Sequence, residues 1–238
     1  MDYSRKSGTE EIRKRFDQDV ERFSNLETGQ QTVIDSPMLL DLTTGAAFFV
    51  NPQARNLLDI GCGAGNYTLK MLEKIPGLNC VLVDLSMPML VRAEERVSKA
   101  TPGRVDILQA DILKADLPEH HFDIVLAASV LHHLRGTEEW INVFNKIFNS
   151  LNPGGSFWIS DLITQDTEPL NRLFSAQYAR HLESLGGEAY RKKVLDYVER
   201  EDSPRSLNFQ LDLMKQVGFR HTEILHKNGS FAAFGGIK

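Results

Sequence analysis

The stretch LLDIGCGAGNYT, residues 57–68, decides how the rest of the chain is read. It sits at an apolar run, Asn56–Ile60, of the kind that forms a buried parallel strand. The run ends at Gly61, and Gly63 and Gly65 complete a G-x-G-x-G turn before a helical pattern begins. Glycines suit such a turn because it needs positive φ and because a bulky ligand approaches its backbone. The helix behind it offers free amide donors and the positive end of its dipole. The bland alternative is a tight strand-to-helix turn that uses glycine for its own sake. A dinucleotide is disfavoured by spacing, because G-x-G-x-x-G/A needs a small residue where this sequence has Asn66.

Outward from this turn, strands and helices alternate. Strands are predicted at 79–85, 105–110, Phe122–Ala128 and 156–162, with helices at 65–74, 88–99 and 138–151. Pro76-Gly77, Pro102-Gly103 and Asn152-Pro153-Gly154-Gly155 punctuate the pattern as turns. Alternation of this kind implies a doubly wound parallel sheet. Residues 167–200 then read as one helical stretch, with Leu170, Leu173, Phe174, Tyr178, Leu182 and Leu185 as its apolar stripe. Another helix follows at Leu207–Val217, closed by Gly218. Strands at 219–226 and 230–237 flank Lys227-Asn228-Gly229, and Asn-Gly between strands signals a hairpin. The fold class is therefore α/β, a seven-stranded and mainly parallel sheet finished by an antiparallel C-terminal hairpin.

Upstream, Ile12, Phe16, Val20 and Phe23 stand at helical spacing over residues 9–24. A polar loop spans 25–36, and a second helix runs from 37 to 50. Residues 1–50 are expected to form a helical lid and residues 51–238 the ligand-binding domain, with a helical insertion at about 167–217.

Composition fits a soluble globular chain: of 238 residues, 42% are hydrophobic and 25% charged. Disordered, collagen-like and disulfide-scaffold classes are thereby excluded. With 27 Lys plus Arg against 32 Asp plus Glu, the net charge of −5 does not advertise nucleic-acid binding. Cys62 and Cys80 lie in apolar runs, which suits a reducing compartment. The charged start MDYSRKSGTEEIRKRF has no apolar signal region, and no run approaches the ~20 apolar residues that span a bilayer. A cytoplasmic protein is expected.

Acids at successive strand ends carry the chemistry. Asp84 follows Gly61 by 23 residues, at the end of VLVD, where a carboxylate can accept both hydroxyls of a ribose. Asp111, in LQADIL, can accept from an exocyclic amine while Ile112 packs against a ring face. Taken singly, each acid is as readily a helix or turn cap. Together with the glycines they describe one crevice for a nucleoside with vicinal hydroxyls.

These residues resemble a class I S-adenosylmethionine-dependent methyltransferase, from about residue 53 to the C-terminus. The resemblance is carried by LDIGCGAG, Asp84, ADIL, FDIVLAASVLHHL, LNPGGSFWISD and the terminal hairpin. It implies S-adenosylmethionine as cofactor. Gly61, Gly63 and Gly65 would meet its methionine end, Asp84 its ribose, and Asp111 with Ile112 its adenine. Asp59, Cys62, Leu85 and Ala127 complete the implied contacts.

A narrower resemblance, to bacterial carboxy-S-adenosylmethionine synthases of tRNA wobble-uridine modification, rests on FDQDVERF, the insertion and the ending VGFRHTEILHKNGSFAAFGGIK. Those enzymes use an arginine of the insertion to hold a carboxylate. Pairing the sequences puts Lys192 of Arg191-Lys192-Lys193 there, and Lys lacks the planar fork. Ordinary methyl transfer is accordingly ranked first, then carboxylated-cofactor synthesis, then a cofactor-binding subunit without chemistry.

His132 and His133 follow the fourth strand, beside the expected methyl group, as candidate general bases if a pKa near 7 is available; a structural role is the common alternative. Asp161 borders the same mouth. Phe16, Phe23 and the Gln30-Gln31 loop would cover it, or merely extend the packing. Tyr178, His181 and Tyr190 would line an acceptor pocket, or form a core face. Arg13-Lys14-Arg15 reads as a solvated helix face. No metal-ligand spacing is visible. A small-molecule acceptor is expected and tRNA is not favoured; no membrane partner is expected, and a homodimer is compatible with the sequence.

Overall fold

A computed structural model describes residue 3 and residues 6–25 and 29–238. The loop expected at 25–36 lies partly outside the described residues. Seven strands form one sheet: β1 (Asn56–Ile60), β2 (Asn79–Asp84), β3 (Val105–Gln109), β4 (Phe122–Ala128), β5 (Leu151–Leu162), β6 (His221–Asn228) and β7 (Phe231–Ile237). Their order is β3-β2-β1-β4-β5-β7-β6. The hairpin folds back so that β7 slots between β5 and β6 and pairs antiparallel with both. β7 alone therefore runs against the other strands. The order reverses beside β1, and the crevice over the β1 and β4 ends is where such sheets hold ligands.

The central strands β1, β4 and β5 are covered on both faces, which is why they are buried on successive residues. On one face Leu58, Val125, Phe157 and Phe234 pack with Phe144 of α6 (Thr137–Ser150) and Met214 of α8 (Leu207–Val217). On the other, Leu57, Leu82, Ile124 and Trp158 meet α3 (Ser36–Val50), α4 (Asn66–Lys74) and α5 (Met87–Val97). Ser86 and Ser206 cap α5 and α8 by accepting from Met89 N and Phe209 N. The Asn152–Gly155 turn is drawn into β5 as an irregularity, since Leu151 pairs with Phe122 but Ser156 with Ile124.

Three helical expectations change. The helix over 9–24 breaks at Gln18 and Asp19 into α1 (Thr9–Asp17) and α2 (Val20–Ser24), and the break brings the Phe16 and Phe23 rings within 5.7 Å. The insertion α7 (Glu168–Glu201) is interrupted at Gly186 and Gly187, where Gly187 has φ 76°. Its apolar stripe is not continuous: Tyr178 and Leu182 are buried, whereas Leu170, Leu173 and Leu185 are exposed. Finally, α3 packs on the sheet against β5 and β7, so within residues 1–50 the described segments before it, and not α3, supply cover over the crevice.

Candidate active site

The crevice is a cavity of about 290 Å³ above the β1 and β4 ends. The glycine turn, Asp84, Leu85, Asp111 and Ile112 line one end. His132 and His133 line the other, on a short 3-10 turn that follows β4. Asp59 and Cys62 also border it. Gly65 and Ala127 do not. Ala127 is buried in β4 between Ile60 of β1 and Ile159 of β5, and its neighbour Ala128 reaches the cavity instead. Alternation along the strand accounts for that shift of one residue.

The three glycines divide their work. At Gly61 a Cβ would lie 2.5 Å from the Val130 side chain, so close packing excludes one. At Gly65 a Cβ would press on Val97 and Ala93 of α5, at 3.1 and 3.3 Å. Gly63 has φ +50° and nothing within 4 Å of its Cβ position, because that position opens into the cavity. Gly63 N donates to Asp84 Oδ2 at 2.9 Å, and Ser86 N donates to Asp84 Oδ1 at 2.9 Å. Burial raises the Asp84 pKa, and these amides oppose the rise. Asp111 Oδ1 accepts from Leu113 N at 3.0 Å, and the residue lines the cavity. An open backbone cradle at Gly63 beside two carboxylates suits the hydroxyls and exocyclic amine of an adenosyl group, so the residues fit the implied cofactor.

Asp59 lies beneath the turn, buried, and accepts from the Thr68 hydroxyl at 2.6 Å. Burial pushes its pKa up to about 7, partly opposed by the Thr68 bond. A carboxyl raised in the folded state holds its proton where the unfolded chain has lost it. Stability should therefore fall as pH rises from about 4 toward 7 and level off above. Asp59→Asn, which keeps an acceptor for Thr68, should flatten that slope in urea unfolding of the ligand-free protein. An unchanged slope would assign the titration to another group.

The histidine end is more heavily built than the sequence suggests. Asp161 Oδ2 accepts from Leu131 N and His132 N at 2.8 and 3.2 Å, and its Oδ1 lies 2.5 Å from His132 Nδ1. Asp161 thus fixes the turn and the ring and does not itself line the cavity. Asp202, just past α7, brings Oδ1 to 3.6 Å from His132 Nε2 and 3.4 Å from His133 Nδ1. Burial lowers the His132 pKa, but Asp161 and Asp202 outweigh it and lift it to about 9. Burial, then the neighbouring His132, hold His133 well below the usual value. Neither ring therefore sits near 7, the condition expected of a free base. Burial raises Asp202 to about 6.

The cover comes from both ends of the chain. Ile12, Phe16, Phe23, Tyr178, Tyr197 and Phe231 line the cavity, and Val33 packs with Tyr178, Tyr197 and Phe231 in one cluster. Arg15 leaves the solvated face expected of it: its guanidinium binds Glu201 at 2.5–2.9 Å and lies over the Phe16 ring. Asn66 donates to Phe23 O at 2.9 Å, and Arg92 pairs with Glu21 at 2.5 Å. Gln31 donates to Tyr190 Oη at 3.2 Å, and its carbonyl lies 3.4 Å from His181 Nε2. Of the insertion's three candidate residues only Tyr178 lines the cavity; His181 and Tyr190 anchor the cover. Sequence reading misses Arg15, Tyr197, Glu201 and Asp202, since a charged helix end carries no signal for an inward turn.

Residues 57–155 match a methyltransferase domain family. Across 188 residues the chain is 24% identical to a demethylmenaquinone methyltransferase of Listeria welshimeri, covering 77% of this chain and 78% of that one. Across 203 residues it is 28% identical to a carboxy-S-adenosyl-L-methionine synthase of Aeromonas salmonicida, covering 81% and 78%. In fold it is similar to the 1,6-didemethyltoxoflavin N1-methyltransferase of Burkholderia thailandensis, with a TM-score of 0.63 and 16% identity over 98% of this chain and 91% of that chain. The chain spans 56–63% of the length of three other solved methyltransferases that it superposes on. Among the described residues no helix is long and apolar enough to cross a membrane.

Proposed function

We propose that this chain, whose residues 57–155 match a methyltransferase domain, is a class I S-adenosylmethionine-dependent methyltransferase that transfers methyl groups to a small and largely apolar acceptor. The reading is carried by one observation: the nucleoside end and an aromatic-walled end open into the same covered cavity. Bound S-adenosylmethionine supplies an electrophilic methyl group on a sulfonium. The protein's own task is then alignment and the exclusion of water. Asp84 and Asp111 orient the nucleoside, and Gly63 lets the backbone approach its amino-acid end. Phe16, Phe23, Tyr178 and Phe231 wall the acceptor space, and the polar group of the acceptor meets His132, His133 and Asp202. Likeness to a demethylmenaquinone methyltransferase agrees with an apolar acceptor. The test is mass spectrometry of the nucleoside released from the purified protein, with calorimetric titration of S-adenosylhomocysteine. Release of S-adenosylmethionine or its demethylated product is expected. A carboxylated derivative, or no binding, would overturn the reading.

Synthesis of a carboxylated cofactor is a second reading, favoured by the 28% identity to a synthase. Its requirement is a cation from the insertion, placed to pair the added carboxylate. Arg191 pairs instead with Glu183 and Glu188 at 2.8 and 3.2 Å, and Arg191, Lys192 and Lys193 lie outside the cavity lining. Replacing Arg191 and Lys192 with Ala should shift affinity for ordinary S-adenosylmethionine by well under ~1 kcal/mol, as for exposed charges. Competition titration of both cofactors checks this. A wild-type preference for the carboxylated form that disappears in the double variant would promote the synthase.

A further inference from the structure

We propose that His132, His133 and Asp202 form a binding site for a zinc-like divalent transition-metal ion at the acceptor end of the cavity. One ligand atom from each of these side chains lies within 4.8 Å of the others. His132 Nε2 and His133 Nδ1 approach the same oxygen, Asp202 Oδ1, at 3.6 and 3.4 Å. Those separations exceed the ~2.9–3.0 Å typical of N–H···O hydrogen bonds. These two separations match the edge of a tetrahedron around an ion, about 3.3–3.5 Å when metal–ligand bonds are ~2.0–2.1 Å long, and the two imidazole nitrogens, within 4.8 Å of one another, would draw together by up to about 1.4 Å on binding.

A second observation concerns burial. Both ring nitrogens of His133 are shielded from solvent and make no well-aligned side-chain hydrogen bond, with the Glu201 backbone and the Asp202 carboxylate as their polar neighbours. Buried polar atoms are ordinarily well paired, and imidazole is the commonest side-chain metal ligand. Third, His132 turns its other nitrogen to Asp161, itself fixed by the Leu131, His132 and Leu162 amides. A carboxylate behind a ligating histidine sets its tautomer and orientation in metal sites.

Two imidazoles and one carboxylate are a donor set for zinc and its neighbours, whereas magnesium and calcium take oxygen ligands. All three ligands line the cavity, so a fourth position faces the acceptor space. The ion would act there as a Lewis acid on an acceptor oxygen. This role rests on the proposed methyl transfer, but ion binding is measured without cofactor or acceptor, so the two readings fail separately.

The experiment titrates Zn²⁺ into chelator-treated full-length protein by calorimetry and records the absorption spectrum after Co²⁺ loading. One equivalent of zinc, with the intense d–d bands of four-coordinate cobalt, is expected. His133→Ala and Asp202→Asn should each weaken zinc binding by roughly 100-fold or more, and Asp161→Asn by about 10–100-fold. Thermal unfolding of each variant checks that it is folded. If His133→Ala does not fold, the wild-type spectrum still decides. Thiolate-to-cobalt charge transfer would place the ion on a cysteine and overturn the proposal. So would a wild type that binds no zinc at micromolar concentration, or unchanged affinity in folded His133→Ala.

Discussion

Gly63→Val is expected to abolish cofactor binding in a chain that still folds. The Cβ position at Gly63 has no protein atom within 4 Å, so the new side chain meets no neighbour. It enters the cavity, beside the Asp84 carboxylate to which Gly63 N donates. The backbone at φ +50° adds strain for an L side chain, about 1–2 kcal/mol. That is a fraction of the ~5–15 kcal/mol that holds an ordinary domain together. A ligand that must pass within van der Waals contact of Gly63 loses its space outright. Affinity for S-adenosylhomocysteine should fall by at least ~100-fold, or about 2.8 kcal/mol. Circular dichroism should report a folded protein, and calorimetry should report no binding. Gly61→Ala supplies the contrast, because its Cβ would lie 2.5 Å from Val130 and its cost falls on folding. Normal binding by Gly63→Val would make the glycines purely structural.

This contrast marks how far the sequence could be read. Spacing located the turn because glycine is required there, but it could not separate steric need at Gly61 and Gly65 from an open cradle at Gly63. That distinction depends on Val130, Ala93 and Val97, which come from other elements. The parallel strands were legible because burial on both faces writes continuous apolar runs. The position of β7 was not, since a hairpin pattern is the same whether its second strand lies outside the first or between it and β5.

The acceptor end was the least legible part. His132 stood out by type, yet its partner Asp161 lies 29 residues away and Asp202 lies 70 positions beyond His132, at a charged helix end. Only the topology joins them. Arg15 misled for a related reason. Within Arg13-Lys14-Arg15, helical spacing fixes which face a residue occupies but not what packs on that face. Glu201 and Tyr197 pack there, and a run that reads as solvated sends one arginine inward. Leu170 and Leu173 misled in the opposite sense: an apolar stripe predicts burial only if something covers it, and on α7 these residues stand exposed. Periodicity reports the helix, not its partner.

Asp84→Ala is the variant that tests the nucleoside end directly. Asp84 accepts one backbone amide on each oxygen, from Gly63 and from Ser86, at 2.9 Å each. Each carboxylate oxygen has a further lone pair, and the residue lines the cavity, so two ribose hydroxyls can be served at once. Hydrogen bonds to a charged group contribute about 1.5–3 kcal/mol, so affinity should fall roughly 10- to 150-fold. Part of that loss would come from releasing the Gly63 amide and loosening the turn. A cofactor analogue without ribose hydroxyls separates the two effects. If Asp84 holds those hydroxyls, deleting them should cost the wild type far more than it costs Asp84→Ala, a coupling that contact residues show and distant ones do not. Equal costs in both proteins would leave Asp84 as a support for the turn alone, and unchanged affinity in Asp84→Ala would remove it from the cofactor site altogether.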